Sequence, residues 1–328
     1  MDQQDGESVK SLGDAAYGRA HYQEAAEQYR RALALYRETG DQLGEAGCIE
    51  CLADVAYCQA YYEQAAVAYR RALPLYRGIG ARLGEANCVK GLGDVARMQA
   101  RFEEASAAYR RALPLYREIG ARLGEANCVK SLGNVAFTQA RFEEAASEYR
   151  RALAAYAETG DRLGEANCIK SMGDVARMQA RYQEATVEYH RALSLYQEIG
   201  ARLGEANCLK CLGNVALSQG RPEEAASEYR RALGLYRETG DRLGEANCVK
   251  SMGDVALSQA RFEEAATAYR LARVLYREIG DRLGEANCLF GIGQLASATG
   301  DAEAGRAASR EAEAVYAEIG IRGYHRPL

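Results

Sequence analysis

The chain has 328 residues, with 46 Asp and Glu against 42 Lys and Arg and a formal charge of −4. No bulk positive field therefore draws in nucleic acid or an anionic bilayer. Its apolar runs are a few residues long, far short of the ~20 that span a bilayer, and the opening MDQQDGESVK lacks the apolar core of an export signal. The expected compartment is the cytoplasm, and the ten cysteines are expected as reduced thiols rather than as a disulfide framework.

One forty-residue frame recurs eight times without insertion or deletion, dividing the chain at 1–40, 41–80, 81–120, 121–160, 161–200, 201–240, 241–280 and 281–320, with a tail at 321–328. The string GEANC stands unchanged six times, ending at Cys88, Cys128, Cys168, Cys208, Cys248 and Cys288. In the third copy, Val89, Leu92, Gly93 and Ala96 follow the i, i+3, i+4, i+7 spacing of a helical stripe, and Ala105, Tyr109, Ala112, Leu113 and Tyr116 give a second. The pattern predicts helix A from Arg82 to Gln99, a turn at Ala100 and Arg101, and helix B from Phe102 to Ile119. Asp41, Asp161, Asp241 and Asp281 stand where a side chain can cap the next helix A, whereas Ala81, Ala121 and Ala201 cannot. The preceding glycine suits a left-handed C-terminal cap. Pro74 and Pro114 fall inside helix B, where a bend is expected. Polar or small replacements in the end copies, Gln3 and Ser8 in the first and Ala302, Gly305 and Ser309 in the last, suggest caps and a self-sufficient array.

Leu92, Gly93, Ala105, Tyr109, Ala112 and Leu115 match, ungapped, the Leu-Gly, Ala, aromatic, Ala, apolar pattern of the tetratricopeptide repeat, and the resemblance covers the whole chain. The six extra residues per unit make it similar to the longer repeats of Pins-type adaptors, kinesin light chains and MalT-type sensor domains. Two positions depart from the family pattern: Val89 and its equivalents replace a larger residue, and Ala96 stands where a tyrosine is usual. The resemblance implies an all-α, right-handed superhelical solenoid of eight helix-turn-helix repeats, with helix A lining a concave groove that holds peptides. The tyrosines at Tyr36, Tyr76, Tyr116, Tyr156, Tyr196, Tyr236, Tyr276 and Tyr316 are expected to fill the space between repeats.

Chemistry is sparse. Cys48 and the six GEANC cysteines share one frame position and read as small buried side chains. Cys48 with Cys51 and Cys208 with Cys211 form C-x-x-C pairs inside a helix, without the partner pairs or histidines of a metal site. His21, His190 and His325 are scattered, and no Walker or G-x-G-x-x-G sequence is present. Glu103 with Glu104 reads as a helix-dipole pair rather than a catalytic dyad. No enzyme, metal or cofactor is expected.

All six lysines occupy one position of helix A, and the other 36 basic residues are arginine. Each of the last five follows an Asn by three residues and precedes Asp or Asn by four, so all three side chains share one helix face. The candidate groove residues are Asn87, Lys90, Asp94 and Arg97; Asn127, Lys130, Asn134 and Phe137; Asn167, Lys170, Asp174 and Arg177; Asn207, Lys210, Asn214 and Leu217; and Asn247, Lys250, Asp254 and Leu257. Asn can donate and accept at once, matching a peptide backbone, and lysine would recruit acidic side chains. The last member of each set varies between copies, as selective recognition needs. A ladder of intrahelical lysine–aspartate pairs, worth only ~0.2–0.5 kcal/mol each, explains the same spacing, and the two readings are compatible.

The sequence therefore points to a non-catalytic scaffold binding an extended peptide or partner segment, without nucleic acid or membrane. The alternative is the sensor arm of a larger MalT-type or related signalling ATPase, taking a small ligand or another protomer. Self-association through the terminal repeats, RNA reading by helical repeats, and a duplicated array with no partner remain as rivals.

Overall fold

In the computed structural model, which describes residues 5–320, the described residues form sixteen α-helices and no strand. The 3.6-residue periodicity continues through every copy of the frame, as helices require. The helices are α1 (Gly6–Gly18), α2 (Tyr22–Thr39), α3 (Gln42–Cys58), α4 (Tyr62–Gly78), α5 (Arg82–Met98), α6 (Phe102–Glu118), α7 (Arg122–Thr138), α8 (Phe142–Thr159) and α9 (Arg162–Met178). They continue as α10 (Tyr182–Glu198), α11 (Arg202–Ser218), α12 (Pro222–Thr239), α13 (Arg242–Ser258), α14 (Phe262–Ile279), α15 (Arg282–Ala298) and α16 (Ala302–Glu318). The fold divides between Cys168 and Ile169 into two compact units. Gln3 and the tail at 321–328 lie outside the described residues.

Each forty-residue frame is one hairpin, and the expected limits of helices A and B in the third copy are met to within a residue. The turn is closed by Ala100 at φ +57°, and alanine takes the same left-handed conformation at five other copies of the turn. Asp41, Asp241 and Asp281 cap their helices by accepting a backbone N–H, and Asp161 accepts from the N–H of Gly164 at 2.9 Å. Ala81, Ala121 and Ala201 leave that place without a side-chain cap. Helices α4 and α6 both run on through their prolines.

Two tyrosines in each of the first seven hairpins organise the core. Tyr109 of α6 lies against Gly93 of α5, where an added Cβ would come within 2.8 Å of its ring. Tyr116, two turns further along helix B, lies over Gly124 of the next repeat, where the gap would be 2.3 Å. Only glycine admits a ring that close to a helix backbone, so Gly13, Gly93, Gly133, Gly173, Gly213 and Gly253 and the seven Leu-Gly-Glu glycines are seats for tyrosines. Tyr76, Tyr156, Tyr236 and Tyr276 repeat the second contact against Gly84, Gly164, Gly244 and Gly284, which places these tyrosines between repeats as expected. The seven frame cysteines are buried, free thiols, and burial pushes those of Cys128 and Cys248 up to about 12.

A second device joins successive hairpins. Glu85 of α5 is 6% exposed and takes Arg77 of α4 on one oxygen and Arg82 on the other, both at 2.8 Å. Glu125 and Glu245 are held alike by Arg117 with Arg122 and by Arg237 with Arg242. The fork geometry of guanidinium suits this two-sided clamp, and Arg77 and Arg237 hold the carboxyls of Glu85 and Glu245 below the ordinary range against the opposing effect of burial.

Candidate functional site on the helix-A face

All twenty candidate groove residues are half-buried, because the helix A face that carries them also meets the tyrosine hydroxyls of helix B. Asp94 receives Tyr109 Oη on Oδ1 at 2.8 Å and Lys90 Nζ on Oδ2 at 2.6 Å. The same pairing joins Lys170 to Asp174 and Lys250 to Asp254, each at 2.7 Å, and Lys10 to Asp14 at 3.0 Å. Where the frame carries Asn instead, Asn134 and Asn214 accept Tyr149 and Tyr229 at 2.9 and 2.8 Å. The lysine–aspartate ladder is therefore built.

The asparagines three residues before the last five lysines are also engaged. Tyr116 donates to Oδ1 of Asn87 and Tyr156 to Oδ1 of Asn127, both at 2.7 Å, and Tyr236 and Tyr276 to Asn207 and Asn247 at 2.8 and 2.9 Å. These amides hold the inter-repeat tyrosines in register with their acceptor side and offer a ligand chiefly their N–H groups. The spacing suggested a free donor and acceptor at each; a tyrosine 29 residues later in the chain is what changes that.

The varied position is built differently in each repeat. Phe137 packs edge-on against Phe142 with ring centroids 5.8 Å apart, and Tyr17 with Tyr22 and Tyr57 with Tyr62 adopt the same arrangement. Arg97 donates to the Tyr57 hydroxyl at 3.4 Å. The Nε atoms of Arg97 and Arg177 are buried without a hydrogen-bond partner. Leu217 packs beside Ala216 and Tyr229, and Leu257 beside Ala256 and Tyr269.

Within the first unit these elements open a cleft of ≈ 870 Å³. Its lining joins Asn87, Lys90, Asp94 and Asn127 of the candidate set to Tyr17 and Tyr57. Sequence comparison had not singled out Glu50, Asp54, Cys58, Leu83 or Leu123, which also line it. The signal for Glu50 was present: it stands where every other helix A from the first to the seventh has lysine.

A tetratricopeptide repeat family model matches residues 45–118, 125–198, 181–238 and 205–278, more than half of the chain. The chain belongs to the tetratricopeptide repeat family. No functionally curated protein matches it in sequence. Among solved structures it is similar to a signal transduction ATPase with numerous domains, carrying a tetratricopeptide repeat sensor, from Pyrococcus horikoshii (TM-score 0.74, 12% identity, 96% of this chain and 48% of that one). It is similar to aspartyl phosphate phosphatase F from Bacillus subtilis (TM-score 0.70, 12% identity, 100% and 88%). The Rap conjugation gene regulator of the plasmid pLS20, solved with the Phr* peptide, is a third (TM-score 0.63, 15% identity, 98% of each chain). At these identities the likeness is one of fold. No helix of the described residues is long and apolar enough to cross a membrane.

Proposed function

We propose that the chain is a non-catalytic, cytoplasmic scaffold that takes an extended segment of a partner protein along the helix-A face. The observation that carries this reading is the first unit's cleft, where Tyr17 and Tyr57 stand beside Asn87, Lys90, Asp94 and Asn127, while the frame position of those tyrosines carries Arg97 and Phe137 in the next two repeats. A constant frame positions a segment, and varied side chains above it discriminate between segments. The solved peptide complex of the Rap regulator supports the same use of the fold. Four lysines are committed to aspartates, so the pull on acidic partners is weaker than their number suggests.

The test is selection of phage-displayed random peptides on the full chain, followed by binding to a variant with Tyr57, Arg97 and Phe137 changed to Ser, the residue at Ser297 in the same frame position. Loss of binding by a variant of unchanged helicity is expected; equal binding would place the ligand elsewhere. A second reading, the sensor arm of a larger signalling ATPase, is favoured by the likeness that spans 96% of this chain but 48% of the Pyrococcus protein. It predicts that the same face binds a small ligand or a second protomer.

A further inference from the structure

The second repeat reverses the charge of the frame. Asp14, Asp94, Asp174 and Asp254 each hold a lysine four residues earlier on the same helix. Asp54 is preceded at that spacing by Glu50 instead, and the i, i+4 relation puts the two carboxylates on one helix face. Neither forms an ion pair among the described residues: Asp54 accepts from Tyr69 and Glu50 from Tyr76, both neutral donors. Lys10 and Lys90 stand nearby, but each donates to its own aspartate, at 3.0 and 2.6 Å.

The rest of the repeat has adjusted to keep this arrangement. Gly47 replaces the asparagine that elsewhere receives the inter-repeat tyrosine, and Tyr76 turns to Glu50 at 2.5 Å. The structural task of the missing amide is thus met, while the two carboxylates form no ion pair of their own and feel Lys10 and Lys90 only at longer range. Both carboxylates are half-buried, where a charge without an ion pair is costly, and burial raises both from their ordinary values against the opposing pull of Lys10 on Glu50 and of Lys90 on Asp54. Both line the ≈ 870 Å³ cleft, together with the rings of Tyr17 and Tyr57.

Resting on the groove reading, we infer that this cleft seats a cationic side chain, lysine or arginine, of the partner segment on Glu50 and Asp54, with Tyr17 and Tyr57 beside it. The bound cation supplies in trans the charge that the other aspartates receive in cis. Tyrosine faces and carboxylates together suit an alkyl-ammonium or guanidinium group. The surface thereby fixes the register of a bound segment, because the second repeat is the one point along the first seven helix A copies where the lysine charge is inverted.

The decisive variant is the double change Gly47→Asn with Glu50→Lys, which gives repeat 2 the Asn and Lys of repeat 3 and keeps an acceptor for Tyr76. Random twelve-residue peptides displayed on phage are selected on the unaltered full chain, and the selected peptides are measured against both chains. The expected result is a shared Lys or Arg, at least about tenfold weaker binding to the double variant, and an equal loss when that residue becomes Gln with the unaltered chain. The Gln peptide should distinguish the two chains little. Peptides that depend on Tyr57, Arg97 and Phe137 but carry no required basic residue, or that bind the double variant equally well, would overturn the cation site and leave the groove reading standing. Peptides indifferent to both sets of changes would overturn both.

Discussion

Repeats 2 and 3 are the same hairpin built on two balances. Repeat 3 has Gly93 beneath Tyr109, an amide at Asn87 for Tyr116, and Lys90 on Asp94. Repeat 2 has Ala53 in place of the glycine, Gly47 in place of the amide, and Glu50 in place of the lysine. Its Tyr69 leans toward repeat 3, where an added Cβ at Gly91 would fall 2.5 Å from the ring, and its Tyr76 finds Glu50. Losses at Ala53 and Gly47 are thus offset by Gly91 and Glu50, and the helices keep the same limits in the frame. What is not offset is charge, and the proposed cation seat rests on that difference.

The comparison breaks most visibly at the core. Tyr109→Ala removes a fully buried ring and should cost about 3–5 kcal/mol, with unfolding in urea cooperative across neighbouring hairpins. Loss of protection confined to repeat 3 by hydrogen exchange would contradict that coupling. Gly91→Ser imports the residue that Ser131, Ser171 and Ser251 supply elsewhere, yet it should cost about 1–3 kcal/mol through overpacking against Tyr69. A neutral result in chemical denaturation would show that Tyr69 has room to return toward Ala53.

Charge sharpens the comparison through pH. The folded chain holds the protons of Glu50 and Asp54 more tightly than their ordinary values of 4.5 and 3.8. Stability should therefore fall as pH rises from about 4 through the raised folded values. Glu85 and Glu245 act in the opposite sense: their contribution is present above 4.5 and is lost as pH falls through their lowered folded values. Subtracting the melting profile of the Gly47→Asn, Glu50→Lys variant cancels the second effect and should leave the first. A difference that does not vary between pH 4 and 7 would mean the carboxylates are already neutralised.

Smaller effects belong to the helix ends. Repeat 2 opens on Asp41, which caps α3, and repeat 3 on Ala81, which caps nothing. Ala81→Asp should add about 0.5–1 kcal/mol, whereas Asp41→Ala should remove a similar amount. Ala100→Gly relieves a left-handed alanine at φ +57° and should raise the melting temperature slightly, by an effect of about 0.5 kcal/mol after the entropy of the unfolded glycine is counted.

The forty-residue frame, the helix limits and the aspartate caps were legible because each depends on residues a few positions apart. Fates decided across a hairpin were not. The hydroxyl of Tyr116 reaches back 29 residues to Asn87, and that of Tyr109 reaches back 15 to Asp94. Neither spacing follows from the face of one helix, so asparagines that looked free for a ligand proved half-committed to tyrosines. The Arg77 and Arg82 clamp on Glu85 was missed for the same reason, since it joins the end of α4 to the start of α5. Glu50 differs: its departure from the lysine column was visible, and the cleft that it lines was not.

Cys58 offers the most direct test of the central claim that a partner segment lies along the helix-A face. Its thiol is exposed and lines the first unit's cleft, whereas Cys51 is half-buried and the other eight cysteines are buried. Alkylation of the native chain by iodoacetamide, followed at Cys58 by mass spectrometry, should slow in proportion to occupancy as a selected peptide is added. A rate at Cys58 that is unchanged at saturating peptide would contradict the account.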